Sequence, residues 1–188
     1  MVANRAEHDR EYMTIEEYLE LDENTEGIRY EYIDGYPYMM TGGTVNHGRI
    51  ATNIARLLGN ALEGGPCEVF SSDIRVRLAE KRFLQPDVTV SCQEEEHPKW
   101  ISHPRVVVEV LSPGTKVYDE GHKYLLYQQC PTIEAVMIVD SEKLSVTLFH
   151  REGKVWENTP FSAGETVEIE WLGVSLPMEK IYRGVRFP

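Results

Sequence analysis

Residues 105–111, Arg-Val-Val-Val-Glu-Val-Leu, form a nearly continuous apolar run that ends at Ser112-Pro113. A short valine-rich run without polar alternation predicts a strand buried on both faces. Upstream, Ile50, Ile54, Leu57, Leu58, Ala61 and Leu62 recur at helical spacing, which predicts a long amphipathic helix over 45–62. Gly64-Gly65-Pro66 stops it. A shorter helix is expected over 14–21, with Thr14 as N-cap and Glu17 completing a capping box. Residues 28–40 read as a hairpin turning at Asp34-Gly35, with Pro37 placing its second arm at a sheet edge.

Further strands are expected over 67–78, over 83–91 and over 105–111, with the first either continuous or bent near Ser71-Ser72. Residues 92–102 read as a loop. A second helix over 117–129, a strand over 133–140 and a hairpin of 144–150 with 154–161 follow. A strand over 166–172 and a helical turn over 178–182 complete the chain. From the long helix onward the order is helix, strand, strand, strand, helix, strand, with hairpins before and after. That order predicts an α/β (α+β) layer arrangement, a mixed β-sheet flanked by helices with added N- and C-terminal β-hairpins. Residues 13–188 are expected to form one domain, preceded by a flexible tail over 1–12.

Composition narrows the partners. The formal net charge of −12 argues against non-specific, high-affinity nucleic-acid binding by the surface as a whole. It leaves room for a local basic strip and suits a site that gathers carboxylates around a divalent cation. No apolar run approaches the roughly 20 residues of a membrane span. No signal-peptide pattern opens the chain. Cys67, Cys92 and Cys130 are odd in number and widely spaced, so buried reduced thiols and a cytoplasmic location are expected. Gly42-Gly43 lacks the spacing of a phosphate loop.

The chemistry centres on Glu109, in the middle of the apolar strand. An unpaired carboxylate there would cost several kcal/mol or take up a proton. A lysine, an arginine or a metal should therefore meet it; a buried salt bridge and a functional site are equal readings of Glu109 taken alone. Pro86-Asp87 opens the preceding strand, and consecutive strands are usually neighbours. Two carboxylates on adjacent strands facing one way make a hard oxygen site for Mg²⁺ or Mn²⁺. Their separation should be roughly 4–6 Å.

Several segments carry a resemblance. They are Met13-Thr14-Ile15-Glu16-Glu17-Tyr18, Tyr30-Glu31-Tyr32-Ile33-Asp34-Gly35, Asn46-His47-Gly48 and Ser72-Asp73-Ile74-Arg75-Val76-Arg77-Leu78. Gln85-Pro86-Asp87-Val88, Val108-Glu109-Val110-Leu111-Ser112-Pro113, Lys123 with Tyr127 four residues on, and Ile138-Val139-Asp140 continue the set. Together they resemble the PD-(D/E)xK nucleases, and more closely the bacterial Uma-two family of restriction-type endonucleases.

The resemblance implies a restriction-endonuclease-like core and Mg²⁺-dependent hydrolysis of DNA, with Mn²⁺ as a substitute. It assigns Asp87 and Glu109 to the cation, with the Val110 carbonyl as third ligand. The superfamily places a lysine two residues after the glutamate, where this chain has Leu111. The resemblance moves that role to Lys123, which would orient the attacking water and steady charge on phosphorus. Glu31 would bind the metal through water or hold Lys123; otherwise it is an exposed hairpin residue. The departure Thr132-Ile133-Glu134-Ala135-Val136-Met137, which lacks the family's aromatic after the glutamate, touches packing only.

Other residues remain open between two roles. His47 meets phosphate or caps its helix. Asp73 is a site carboxylate or an ion-pair partner of Arg75 or Arg77, which share its face on period-two spacing. Arg75, Arg77, Lys81, Arg82 and Lys123 are expected to flank the cleft as a DNA-binding strip of low affinity. The aromatic hairpins suit a homodimer interface or a core. The competing function is a catalytically inactive nuclease-fold protein that binds nucleic acid or regulates a partner. Leu111 and the acidic surface favour that reading, whereas Asp87, Glu109 and Lys123 together favour the enzyme.

Overall fold

The strands sort into two large sheets and a two-stranded one where the sequence suggests a single sheet. The structure, a computed structural model, describes residues 11–40, 42–112 and 119–187. The elements begin with α1 (Ile15–Asn24), β1 (Tyr30–Ile33), β2 (Tyr36–Met39) and α2 (Val45–Leu62). Six strands follow: β3 (Glu68–Ser71), β4 (Arg75–Ala79), β5 (Arg82–Leu84), β6 (Val88–Ser91), β7 (Trp100–Ile101) and β8 (Pro104–Leu111). A π-helical turn, Asp119–Lys123, runs into α3 (Tyr124–Gln129). Then come β9 (Ala135–Asp140), β10 (Val146–Glu152), β11 (Val155–Phe161), β12 (Thr166–Ile169), β13 (Val174–Pro177) and α4 (Met178–Ile181). The larger sheet has the order β11-β10-β9-β8-β6-β3, the smaller β2-β1-β5-β4-β7, and β12 pairs with β13. β8 runs parallel to β9, and β4 to β7. The expected flexible tail falls almost wholly outside the described residues, as do Val117 and Tyr118 at the start of the expected second helix.

Two of the chain's crossings between the larger and smaller sheets fall inside segments expected as strands. One is the bend after Ser71, so 67–78 is two strands, β3 in the larger sheet and β4 in the smaller. The other corrects the expectation of one strand over 83–91. That segment splits into β5 and β6 around Gln85-Pro86-Asp87. Pro86 has no N–H to give a ladder, so the pairing with β4 ends there and the chain passes to β8. Two smaller corrections follow the same lines. The expected strand over 166–172 ends at Ile169, giving way to the 3₁₀ turn Glu170–Leu172 and then to β13, and the loop over 92–102 contains the short β7.

Local signals hold at the N-terminal end. Thr14 Oγ1 accepts from the Glu17 N–H at 3.2 Å, and Glu17 Oε2 accepts from the Thr14 N–H at 2.7 Å, the expected capping box. The β1–β2 turn has Asp34 at φ 52° and Gly35 at φ 100°. A Cβ at Gly35 would also stand 2.2 Å from the Tyr12 ring. β2 is an edge strand, as Pro37 requires.

Side-chain alternation along β8 builds two cores. Val106, Val108 and Val110 pack with Ile50, Ile54 and Leu58 of α2 and with the β12–β13 layer. Val107 and Leu111 pack between the sheets with Val76, Leu84, Leu126 and Tyr127. A third cluster, Tyr18, Tyr32 and Phe83, seats α1 on the outer side of the smaller sheet. No described helix is long and apolar enough to cross a membrane.

The cysteine expectation is overturned. Cys67 and Cys92 form a disulfide, while Cys130 is free and buried. Cys67 precedes β3 and Cys92 follows β6, one step beyond the Glu68–Ser91 pair, so strand register sets them opposite each other. Reduced thiols therefore no longer argue for a reducing compartment. Denatured without reductant, the chain should present one reactive thiol, and three after reduction. Three thiols before reduction would contradict the pairing. Replacing both cysteines by serine opens a loop with a separation of 25 residues. Chain entropy puts the loss of stability at about 3.5 kcal/mol, measurable by urea unfolding.

Candidate active site

Glu109 is buried in the strand that lines both cores, and a lysine meets it. Lys123 Nζ lies 3.4 Å from Glu109 Oε1 and 2.9 Å from Glu31 Oε1. All three residues are at most 5% exposed. Glu31 reaches this place by strand alternation. Tyr30 and Tyr32 turn toward α1, while Glu31 and Ile33 turn toward the inter-sheet core. Glu31 is thus no exposed hairpin residue. Its Oε1 also accepts the Gln85 backbone N–H at 3.1 Å. At the other end the Tyr127 hydroxyl donates to Glu109 Oε1. Lys123 ends the π-helical turn and Tyr127 lies four residues later, so one helix face delivers both. Sequence reasoning noted Tyr127 without a role and missed the Gln85 N–H. The demand of a buried phenol for a partner was the available signal.

Asp87 stands beside this chain of contacts. β6 pairs antiparallel with β8, Val88 opposite Val108, and continuing the ladder by one residue puts Asp87 opposite Glu109. Asp87 Oδ2 accepts the Val110 N–H at 2.7 Å, and Asp87 Oδ1 lies 3.1 Å from His47 Nε2. The N–H of Val110 is thus what the structure brings to Asp87. His47 sits in the first turn of α2, where Thr44 Oγ1 caps the helix by accepting the His47 N–H at 3.2 Å. The imidazole lies against Gly43, where an added Cβ would come within 2.6 Å of His47 Nδ1. Backbone capping therefore falls to Thr44, and the His47 ring is turned to Asp87. Adjacent residues of β8, Glu109 and Val110, join the two groups: Glu31, Lys123 and Tyr127 on one, His47 and Asp87 on the other.

The sequence profile of the Uma2 family, described as "Putative restriction endonuclease", matches residues 15–179. The chain belongs to the Uma2 family. It is 35% identical over 176 residues to a Synechocystis protein, "Uncharacterized protein slr1290", covering 92% of each chain. It is 29% identical over 168 residues to a second one, "Uncharacterized protein sll1609", covering 85% of this chain and 92% of that one. A crystal structure of "a putative nuclease belonging to DUF820" from Anabaena variabilis superposes with a TM-score of 0.71 at 18% identity. It covers 90% of this chain and 97% of the other, so the fold is shared.

In this Uma2-family chain the other predicted site residues have partners of their own. Asp73 is exposed and contacts Ser71 Oγ at 3.0 Å and Arg29 at 3.5 Å, in place of the expected Arg75 or Arg77. Arg75 pairs with Asp22 at 2.5 Å. The Arg77 guanidinium lies over the Phe83 and Trp100 rings. Lys81 Nζ donates to the Tyr12 hydroxyl at 2.9 Å. Arg82 forks onto Asp34 at 2.8 and 2.9 Å and reaches Gln129 at 2.5 Å. These cations tie α1, the β1–β2 turn and α3 to the smaller sheet. A separate His–Glu–Glu group, unforeseen in the sequence, lies on the β10–β11 hairpin. Ligand atoms of His150, Glu152 and Glu157 are all within 4.8 Å of one another, and both glutamates are exposed.

Two outcomes follow from this geometry. Lys123→Met leaves two buried carboxyl groups without their amine, which should destabilise the fold by about 3–5 kcal/mol in urea unfolding. A loss below about 1 kcal/mol, the surface-pair range, would contradict the burial. The Arg82 hydrogen bonds hold the Asp34 carboxyl below its ordinary range. The stabilisation from that pair is complete above the ordinary aspartate range and is lost as pH falls through the lowered value. Arg82→Ala should return the Asp34 titration, followed by carboxyl ¹³C NMR, to the ordinary range.

Proposed function

We propose that the chain is a Mg²⁺- or Mn²⁺-dependent endonuclease that hydrolyses DNA phosphodiester bonds. The observation that carries this reading is the buried amine of Lys123 between Glu31 and Glu109, with Asp87 in register opposite Glu109. Two carboxyl groups on one amine, with a third carboxyl on the neighbouring strand, make an oxygen donor set that leaves acid groups in excess. Such a set fits a hard divalent cation, and Mg²⁺ in particular is held by one or two carboxylates, substrate phosphate and water. The two residues that fit the cation best are Asp87 and Glu109, with the Val110 carbonyl as the proposed third ligand.

When bound, a divalent cation supplies neutralisation of phosphate charge and makes a water easier to deprotonate. The chain's own residues act around it. Val110 N–H fixes the rotation of the Asp87 carboxylate. Glu31, anchored by the Gln85 N–H, holds Lys123 so that its ammonium stays beside Glu109. From there the ammonium orients the attacking water and opposes charge building on the phosphoryl oxygens. Leu111 cannot do this: its side chain lies in the apolar core between the sheets. His47, at the start of an 18-residue helix and against Asp87, would meet the phosphate.

The second reading, a nuclease-fold protein without catalysis, is favoured by one observation. Arg75 and Arg82 are tied to carboxylates and Arg77 lies over aromatic rings, which weakens the expected DNA-binding strip. Cleavage of plasmid and of short single-stranded DNA with Mg²⁺, Mn²⁺ or EDTA separates the two. On the enzyme reading, wild type cuts with metal and not with EDTA, and Glu109→Ala is inactive. Lys123→Met, assayed where it remains folded, should lose roughly 10²–10³-fold, the scale of one electrostatic donor. Full activity in Lys123→Met beside an inactive Glu109→Ala control would remove the lysine from the mechanism. DNA binding by the wild type with no cleavage in either metal would favour the second reading.

A further inference from the structure

We infer that Tyr127 is a positioning residue for the metal-binding carboxylate Glu109, a role that rests on the reading of Glu109 as a cation ligand. The buried tyrosines of this chain make the contrast. Tyr18 donates its hydroxyl to the Tyr30 carbonyl at 2.9 Å, Tyr32 to the Met13 carbonyl at 2.8 Å, and Tyr182 to the Asp140 and Ser145 carbonyls at 2.8 Å. Each thereby ties one stretch of backbone to another. Tyr127, fully buried in the core between the sheets, donates instead to a carboxylate oxygen.

The geometry says what that contact does. A glutamate's terminal torsion is soft and broadly distributed. Here one oxygen, Oε1, takes both the Tyr127 hydroxyl and the Lys123 ammonium. Two donors on one oxygen fix the plane of the carboxylate. Both come from successive turns of one short helical segment, whose rotation is set by Leu126 and Tyr127 in the apolar core. The ring is thus a rigid strut from the core to the carboxylate. Lys123 also faces Glu31, so its ammonium is shared between two carboxylates, while the Tyr127 hydroxyl is given to Glu109. The hydroxyl therefore holds the orientation of Glu109 relative to Asp87 beside the ammonium that Glu31 shares. Hydrogen-bond partners of ligating carboxylates typically carry 10–100-fold in metal affinity or activity.

Tyr127→Phe removes the hydroxyl and keeps the ring. Mn²⁺ binding to the DNA-free full chain is measured by the electron paramagnetic resonance of free Mn²⁺, with the melting temperature followed by circular dichroism. Tyr18→Phe is the control, since it deletes a buried hydroxyl that meets the Tyr30 carbonyl and the Gln85 side chain in place of a carboxylate. Tyr127→Phe should weaken Mn²⁺ binding by about 10–100-fold. Cleavage should fall at low Mn²⁺ and recover as Mn²⁺ is raised. Tyr18→Phe should lower the melting temperature and leave the Mn²⁺ affinity within about twofold, as a site with no ligand contact should. Wild-type Mn²⁺ affinity in folded Tyr127→Phe, with binding abolished in Glu109→Ala, overturns the positioning role alone. Absence of Mn²⁺ binding in the wild type overturns the metal reading and this role with it. Equal weakening in Tyr18→Phe and Tyr127→Phe assigns both hydroxyls to stability and also overturns the role.

Discussion

The ammonium of Lys123 is enclosed by the carboxyl groups of Glu31 and Glu109, and three parts of the fold converge on it. Glu31 comes from the smaller sheet, Glu109 from the middle of the larger one, and Lys123 from the helical segment that packs between them. Burying such a cluster is a poor way to gain stability. Desolvation of the charges offsets most of their attraction, and an apolar trio of similar volume is often as stable or more so. The surroundings are arranged to limit that cost: the Gln85 N–H meets Glu31 and the Tyr127 hydroxyl meets Glu109, so polar atoms that water has left find protein partners. A costly cluster kept satisfied on all sides is more readily explained by chemistry than by folding.

The two-sheet architecture serves the same place. Had 83–91 continued as one strand, Asp87 would have stayed in the ladder of the smaller sheet. The break at Pro86 hands the chain to the larger sheet one residue before β6 and sets Asp87 opposite Glu109. The same crossing brings the Gln85 N–H to Glu31. A single proline thus couples the fold's change of sheet to the placement of both carboxyl groups that flank β8. The disulfide closes the far end of the same β3–β6 pair, holding the edge strand whose partner begins beside Asp87.

Much of this was legible from residue pattern. The valine run of β8, the period of α2, the Thr14–Glu17 box and the Asp34-Gly35 turn are local signals, and each is where the pattern puts it. The need of Glu109 for a partner was also readable, because burial follows from the apolar run and a buried carboxylate must be met. What escaped depended on register and on distant partners. Twenty-five positions separate Cys67 from Cys92, and only the alignment of β3 with β6 makes them neighbours. The arginines of β4 and β5 read as a basic strip because their partners, Asp22 and Asp34, lie on other elements. His150, Glu152 and Glu157 come together only when the β10–β11 ladder is known.

Crystals soaked in Mn²⁺ and measured for anomalous scattering test the central claim most directly. The account predicts a peak within bonding distance of both Asp87 and Glu109, at the roughly 2.0–2.6 Å expected for hard-cation oxygen ligands, with Lys123 still in contact with Glu31. Manganese bound only at His150, Glu152 and Glu157, or none near β8, would contradict it.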